Sequence, residues 1–348
     1  MTLMKALSTL CCAAAVTAMA ILPAGGAGKV PHKAWTDPET ALREDPDFAI
    51  QGEYHFSDGK LAGGVQVIAL GGGTFDAFLL EGGLPGAGWI PGNKRVALRG
   101  ERKDGKIVFA DETGTIRASI RNERFFALET VPSHLENFPS VLERIGRKSP
   151  TLGAKPPQGA VVLFDGSSTA AWHNGKMENG HLLSTGATSK QQFGDYTLHL
   201  EFRTPYMPSA RGQQRGNSGV YHGGRWETQV LDSFGLEGRD NECGGIYSIS
   251  KPRLNMCLPP LAWQTYDVEF TAAKFDENGQ RTAWPRITVK LNGVVVHEKL
   301  ELAKDFTTAS PLNKPLDSSE GPVFIQNHND PVVYRNIWIV PSSKPAKP

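Results

Sequence analysis

Between Val161 and Pro341 the apolar residues recur at every second position, and this period constrains the fold more than any other feature. Tyr196, Leu198, Leu200 and Phe202 are separated by Thr197, His199, Glu201 and Arg203. Such a run makes a strand with one face buried and the other polar. Tyr266, Val268 and Phe270 repeat the pattern with Asp267 and Glu269 between them. Ile287, Val289 and Leu291 lead into Asn292-Gly293 and then Val294-Val295-Val296, a strong short-range hairpin signal. Tyr334 to Val340 reads as a closing strand. Helical periodicity is nearly absent. The 38 glycines and 24 prolines make up roughly 18% of the 348 residues, against about 12% ordinarily, so turns must be frequent. The fold class expected is all-β, with two antiparallel sheets packed as a jelly-roll sandwich.

The sandwich is not the whole chain. The expected organisation is a signal segment at 1–27, a linker at 28–45, a small β domain at 46–148, a Pro/Gly-rich connector at 149–160, the jelly roll at 161–341 and a tail at 342–348. In the first domain, strand-like runs such as Val65 to Leu70 and Phe75 to Leu80 are separated by glycine clusters and by the turns Asp58-Gly59 and Asp104-Gly105. Thr36-Asp37-Pro38-Glu39 fits a capping box before Ala41 and Leu42, and Ser140-Val141-Leu142-Glu143 reads as the cap of a short helix. Nothing in this domain assembles a catalytic set, which leaves it a structural or glycan-docking accessory.

Residues 1–27 carry a single charge, Lys5, then an apolar run from Ala6 to Leu22 and a small-residue site ending at Ala27. That is the layout of a secretory signal, so the mature chain is expected to be exported and free of the membrane after cleavage. The charge balance, 37 basic against 36 acidic residues, argues against nucleic acid as a partner. After cleavage only Cys243 and Cys257 remain. In an oxidising compartment they are expected to form a disulfide, contributing about 3 kcal/mol in the chain-entropy model.

The second domain resembles a known family. Val162-Leu163-Phe164-Asp165-Gly166 followed by Trp172 looks like its opening, and Tyr196 to Arg203 its second signature. Gly216-Asn217-Ser218-Gly219-Val220-Tyr221 and Trp226-Glu227-Thr228-Gln229-Val230-Leu231-Asp232 look like its central pair of strands. Cys243 to Tyr247, Asn255-Met256-Cys257, Trp263 to Asp267, Leu291-Asn292-Gly293, Gly321 to His328 and Arg335-Asn336-Ile337 continue the match in order. This set is similar to the 3-keto-disaccharide hydrolase domain. The resemblance implies a concanavalin A-like jelly roll, a carbohydrate substrate and cleavage of 3-keto-glycosides. Where the family often has Asp-His-Gly near its end, this chain has Asn327-His328-Asn329.

A sugar oxidised at C3 has an acidified proton at C2, and its removal lets the group on C1 leave by elimination. Such a site needs a base near C2, an acid at the leaving oxygen and a donor or metal facing the C3 oxygen. Glu227 is the first catalytic candidate, because period two places it on one face with Gln229. Asp232 joins them if a bulge intervenes. The string Glu227-x-Gln229-x-x-Asp232 echoes the Glu-x-Asp-x-x-Glu of retaining jelly-roll glucanases, with an amide in place of the middle carboxylate. His328 follows Gln326 at period two and supplies an imidazole suited to acid–base work. Arg203 is read as holding an oxyanion or carboxylate, or as bridging to Glu201; Asn217, Tyr221, Gln229 and Gln326 are read as contacting sugar hydroxyls; Arg335 as a structural ion pair. No cofactor is assigned. Glu227, Asp232 and His328 are the residues a divalent metal would use, although no HxH or HExxH spacing marks a metal site, and the mature chain has no GxSxG nucleophile turn. Two other readings remain: a non-catalytic glycan-binding module, and a conventional endo-glucanase-like hydrolase.

Overall fold

The computed structural model describes residues 32–115, 117–127 and 138–342. The signal segment expected at 1–27 lies outside them. Eight antiparallel strands of the first domain close into a barrel. They are Gly52–Ser57, Ala62–Gly71, Thr74–Glu81, Arg95–Lys103, Lys106–Ala110, Arg117–Arg121, Arg124–Ala127 and Val141–Ile145. The first pairs with both Ala62–Gly71 and Val141–Ile145, which completes the ring and leaves no open edge. Val65, Val67, Phe75, Ala77, Leu79, Ile107, Phe109, Phe125 and Leu142 form its core, as period two requires.

Two local expectations are corrected here. Ser140 to Glu143 caps no helix: Val141, Leu142 and Glu143 pair with Phe126, Phe125 and Arg124 in the barrel wall. Leu142 is buried on the inner face of this strand, and its pairing outweighs the local capping pattern. The helix Pro38–Glu44 does form, but Asp37 is its N-cap, with Asp37 Oδ2 accepting a bond from the Thr40 amide at 2.7 Å. Pro38 takes the first helical position, which places the cap one residue later than Thr36. The stretch before residue 45, expected as a linker, is pinned as well. Trp35 and Tyr206 exchange backbone hydrogen bonds at 3.0 and 2.9 Å, and both join the barrel core.

The second domain is the expected sandwich. Its larger sheet runs Met177–Glu178, His181–Leu183, Val333–Pro341, Tyr196–Arg203, Gln264–Thr271, Arg286–Leu291 and Val294–Glu301, with Val161–Phe164 paired to Val333–Pro341. Its smaller sheet runs Trp172–His173, Ala187–Phe193, Gly321–Ile325, Ser218–His222 and Trp226–Val230. Leu198, Leu200, Phe202, Val268, Phe270, Val220, Trp226, Val230, Val323 and Ile325 fill the space between them. Asn292 and Gly293 both have positive φ, as a two-residue hairpin turn of type I′ demands. Residues 149–154 lie against the outer face of the larger sheet: Thr151 Oγ1 donates to Asp267 at 2.6 Å, the Gly153 amide donates to Glu201 at 2.6 Å, and Asn336 Nδ2 donates to the Ala154 carbonyl at 2.9 Å.

Cys243 and Cys257 are free thiols, so the expected disulfide is absent. Both are wholly buried and behave as small apolar residues with weak polar contacts. Cys243 Sγ is 3.4 Å from the Tyr266 hydroxyl, and Cys257 Sγ donates to the Leu258 carbonyl at 3.5 Å. Hydrogen bonding to Cys243, together with burial, holds the proton on Cys257.

Barrel and sandwich meet through arginine contacts, of which that of Arg215 is buried. Arg215 Nε donates to Asp232 Oδ2 at 2.6 Å, and the same guanidinium reaches the Ala69 carbonyl and Gln51 Oε1, each at 3.5 Å. Arg95 donates to the Gly235 carbonyl at 2.7 Å, and Arg211 to the Leu70 carbonyl at 2.9 Å. Gly235 has φ +74°, and a side chain there would meet Ile68 Cδ1 at 2.4 Å. Removing one partner of a buried ion pair strands the other's charge. Asp232→Ala is therefore expected to lower stability by about 3–5 kcal/mol, read from urea unfolding; an unchanged midpoint would mean that Arg215 does not depend on this carboxylate.

Candidate functional site

The site grows from the register of two strands. Ser218–His222 pairs with Trp226–Val230 so that Tyr221 lies opposite Glu227 and Gly219 opposite Gln229. On the other side, Tyr221 lies opposite Phe324 of the Gly321–Ile325 strand. Val220, Trp226, Val230, Val323 and Ile325 turn into the core. Period two therefore leaves Tyr221, Glu227, Gln229 and Phe324 on the outer face, with Asn217 and Gln326 at the strand ends. His222 faces inward, bonded to Tyr196 and Thr228, and burial pushes its imidazole down to about 3.

Glu227 is buried, and its carboxyl leans over Gly219. A Cβ on Gly219 would lie 2.2 Å from Glu227 Oε1, so this position must be glycine for the carboxyl to sit where it does. Burial pushes the carboxyl up to about 8, with the Tyr221 hydrogen bond acting weakly in the opposite sense. A proton count supports the direction. The Tyr221 hydroxyl oxygen is 2.8 Å from Glu227 Oε2 and 2.8 Å from the Thr308 carbonyl oxygen, and Gln326 Nε2 donates to it at 3.1 Å. One hydroxyl proton cannot serve two acceptors. A protonated Glu227 resolves this: Tyr221 donates to Thr308, and the carboxyl donates to Tyr221.

Around this carboxyl the face offers acceptors. Asn217 Oδ1, Glu227 Oε1, Gln229 Oε1 and Gln326 Oε1 are all buried, and none meets a donor among the described residues. The amide nitrogens of the same side chains are already engaged. Asn217 Nδ2 and Gln229 Nε2 both donate to Gln213 Oε1, at 3.0 and 3.3 Å, while Gln213 Nε2 donates to the Asn241 carbonyl at 2.7 Å. A folded chain ordinarily leaves few such groups without partners, so four acceptors on one sheet face point to a ligand rich in donors.

The structure sorts the sequence candidates. Glu227, Tyr221, Gln229, Asn217 and Gln326 come together on this face. His328 lies half-buried on the loop two residues beyond Gln326, and Ser218 Oγ, donating to the Gln326 carbonyl at 2.8 Å, ties the start of that loop to the site strands. Asp232 does not join: its carboxylate is bound to Arg215 at the barrel junction. Arg203 points off the larger sheet, stacked on Trp263, on the far side of the sandwich. Glu227, Asp232 and His328 therefore do not gather as metal ligands, and among the described residues no three His, Cys, Asp or Glu side chains do so. With Gln229 an amide and Asp232 held by Arg215, the face also lacks the paired carboxylates of an ordinary glycosidase.

Sequence reasoning missed Gln213 and Tyr247. Gln213 sits in the short 3₁₀ helix Gly212–Gln214, too brief for any periodicity to place it. Tyr247 arrives because residues 244–247 run alongside Trp226–Val230, with the Tyr247 amide donating to the Glu227 carbonyl at 3.1 Å. A wide concavity of about 910 Å³ lies instead on the barrel around Arg99, Val108, Arg117, Arg121 and Phe126. It gathers no comparable set of acid–base groups.

Fold and site together define a β-sandwich with a proton-bearing carboxyl set in a polar sheet face. The 3-keto-alpha-glucoside-1,2-lyase-like domain profile matches residues 159–340, and the chain belongs to that family of carbohydrate-active, glycosidase-like domains. The crystal structure of a candidate glycosyl hydrolase from Parabacteroides distasonis ATCC 8503 is similar, at 27% identity and a TM-score of 0.50, covering 62% of this chain and 99% of that one. A second candidate glycosyl hydrolase from the same organism shares 17% identity over 53% of this chain and 95% of its own, at a TM-score of 0.39. No curated protein matches significantly.

The raised carboxyl makes stability depend on pH. Unfolded, Glu227 loses its proton near its ordinary value of 4.5; folded, near 8. The folded state thus holds an extra proton between these values, and the stability it contributes is full below 4.5 and lost as pH rises through about 8. Glu227→Gln, which keeps the donor to Tyr221 but cannot ionise, is expected to gain on the wild type by a few kcal/mol between about pH 5 and about pH 9 in urea melts. A constant difference between the two across that range would show that Glu227 ionises normally.

Proposed function

We propose that this chain cleaves the glycosidic bond of 3-keto-glycosides by elimination. The observation that carries the reading is the buried carboxyl of Glu227, which keeps its proton near neutral pH inside a face of acceptor oxygens. Sugar hydroxyls are the donors those oxygens suit. Family membership supports a 3-keto-glucoside as substrate.

In this mechanism His328 takes the C2 proton. The electrons of the C2–H bond form the C1=C2 double bond, and the C1–O bond breaks. Glu227 gives its proton to the leaving oxygen. The products are a free alcohol and an enone sugar, to which water then adds across C1=C2, returning His328 and Glu227 to their starting forms. Tyr221 and Gln326 fix the carboxyl, and Gln213 holds Asn217 and Gln229 in place for the sugar. With the leader expected at 1–27, the reaction takes place outside the cytoplasm.

Incubation with a 3-keto-disaccharide and with its unoxidised parent tests this. Cleavage of the keto sugar alone, with a transient enone absorbance, is the expected result. Cleavage of the parent would favour an ordinary glucanase, and binding without turnover a glycan-binding module. Glu227→Gln is expected to lower kcat/KM by about 10²–10⁴, and the wild-type rate to fall as pH rises past about 8, where the acid is lost. Full activity in the Gln variant would remove Glu227 from the chemistry.

A further inference from the structure

A second cluster of charged side chains lies on the outer face of the larger sheet, away from Glu227. A cleft of about 560 Å³ opens there between residues 153–156 and the strand carrying Arg335. Arg335 and Arg203 both stack on Trp263, their guanidinium carbons 3.9 and 4.9 Å from its ring centre, and His181 packs against the same indole at 5.1 Å.

The acids near these cations are largely committed to other donors. Glu201 is fully used: Oε1 accepts from the Gly153 amide at 2.6 Å and from Asn336 Nδ2 at 3.0 Å, and Oε2 accepts from Arg335 Nε at 2.6 Å. His199 Nδ1 is 2.6 Å from Asp267, and His199 Nε2 is 3.8 Å from Glu201. Asp267 and Glu201 hold His199 toward its protonated form against its burial, so it draws on the same two carboxylates. Asp165, at the rim, is taken by the Ser167 amide and hydroxyl at 2.9 and 2.5 Å. Arg335 reaches Glu201 only through Nε, leaving both Nη groups without a protein acceptor among the described residues. Half-buried Arg203 donates to the Thr36 carbonyl at 2.9 Å; Asp37, which caps the Pro38–Glu44 helix, attracts it through space, but no carboxylate lies within ion-pair distance of it among the described residues. Lys155 adds a further cation to the wall. Burial, then Arg203 and Arg335, push the His181 imidazole down, which is what a positive potential in the cleft does.

We propose that this cleft binds an acidic sugar, its carboxylate held by the Nη groups of Arg335, while Arg203, against the same indole but outside the cleft wall, adds positive potential. A guanidinium fork matches a planar carboxylate, and a partly desolvated arginine without a counter-ion gains most from one. The cleft is larger than a bare carboxylate fills and falls in the size range of small-ligand sites, and its polar wall of His181, Asn336 and Lys155 suits ring hydroxyls. The site is independent of Glu227 and of the reaction proposed for it.

Calorimetric titration of the full chain with sodium glucuronate, glucose and sodium acetate tests the assignment. Glucuronate is expected to bind saturably in the millimolar range, and glucose and acetate each at least about tenfold more weakly. Arg335→Gln is expected to weaken glucuronate by about tenfold or more, and Lys155→Gln, at an exposed position, by a smaller factor, while Glu227→Gln leaves the affinity unchanged. If Arg335→Gln does not fold, Lys155→Gln carries the test. Absence of saturation, equal binding of glucose, or affinity untouched by the variant that folds would overturn the proposal. Acetate binding as tightly as glucuronate would overturn the sugar and leave a bare carboxylate site.

Discussion

The candidate site follows from taking one carboxyl group out of water. A lone carboxylate in that position would carry a large desolvation cost, and Glu227 avoids it by keeping its proton. That choice propagates. Tyr221 must spend its only proton on the Thr308 carbonyl, Gln326 must donate to Tyr221, and Gly219 must have no side chain. A neutral acid is also the form in which a carboxyl can give a proton at physiological pH, so the cheapest way to bury the group is also the reactive one.

The two outer faces of the sandwich have opposite chemistry. The smaller sheet presents oxygen acceptors whose own amide donors are already committed. The larger sheet presents arginines whose carboxylate partners are already committed. Both faces come from the same period-two alternation, and what differs is which polar residue falls at each outward position. Glu201 and Glu227 show the contrast. Against burial, His199, Asn336, Gly153 and Arg335 hold the first carboxyl down to about 2, whereas the second meets only the Tyr221 hydroxyl, and burial pushes it up.

Much of the fold was legible in the chain because alternation reports burial directly. The strands from Tyr196, Tyr266 and Ile287 and the Asn292-Gly293 turn are where that pattern puts them. The same rule placed Glu227, Gln229, Tyr221 and Gln326 on one face. It failed where a side chain's direction depends on packing between distant segments. Asp232 lies past the end of its strand, where period two no longer applies, and Arg215 claims it. Arg203 keeps its alternation but sits on the other sheet, and which sheet faces which is not a local property. The paired cysteines invited a disulfide from compartment and spacing, yet both thiols are satisfied by neighbouring oxygens in an apolar interior. Ser140 to Glu143 has a helix-cap composition, but the barrel needs that segment to close its ring.

Gln213 holds two of the four acceptors, and the loop that carries it hangs from the barrel. Arg211 on one side of it is bonded to the Leu70 carbonyl, and Arg215 on the other to the Ala69 carbonyl and to Gln51. The first domain thus behaves as a bracket for the second rather than as a passenger. Severing the two lobes would free the segment whose Gln213 orients Asn217 and Gln229, so the polar face depends on contacts beyond the family domain.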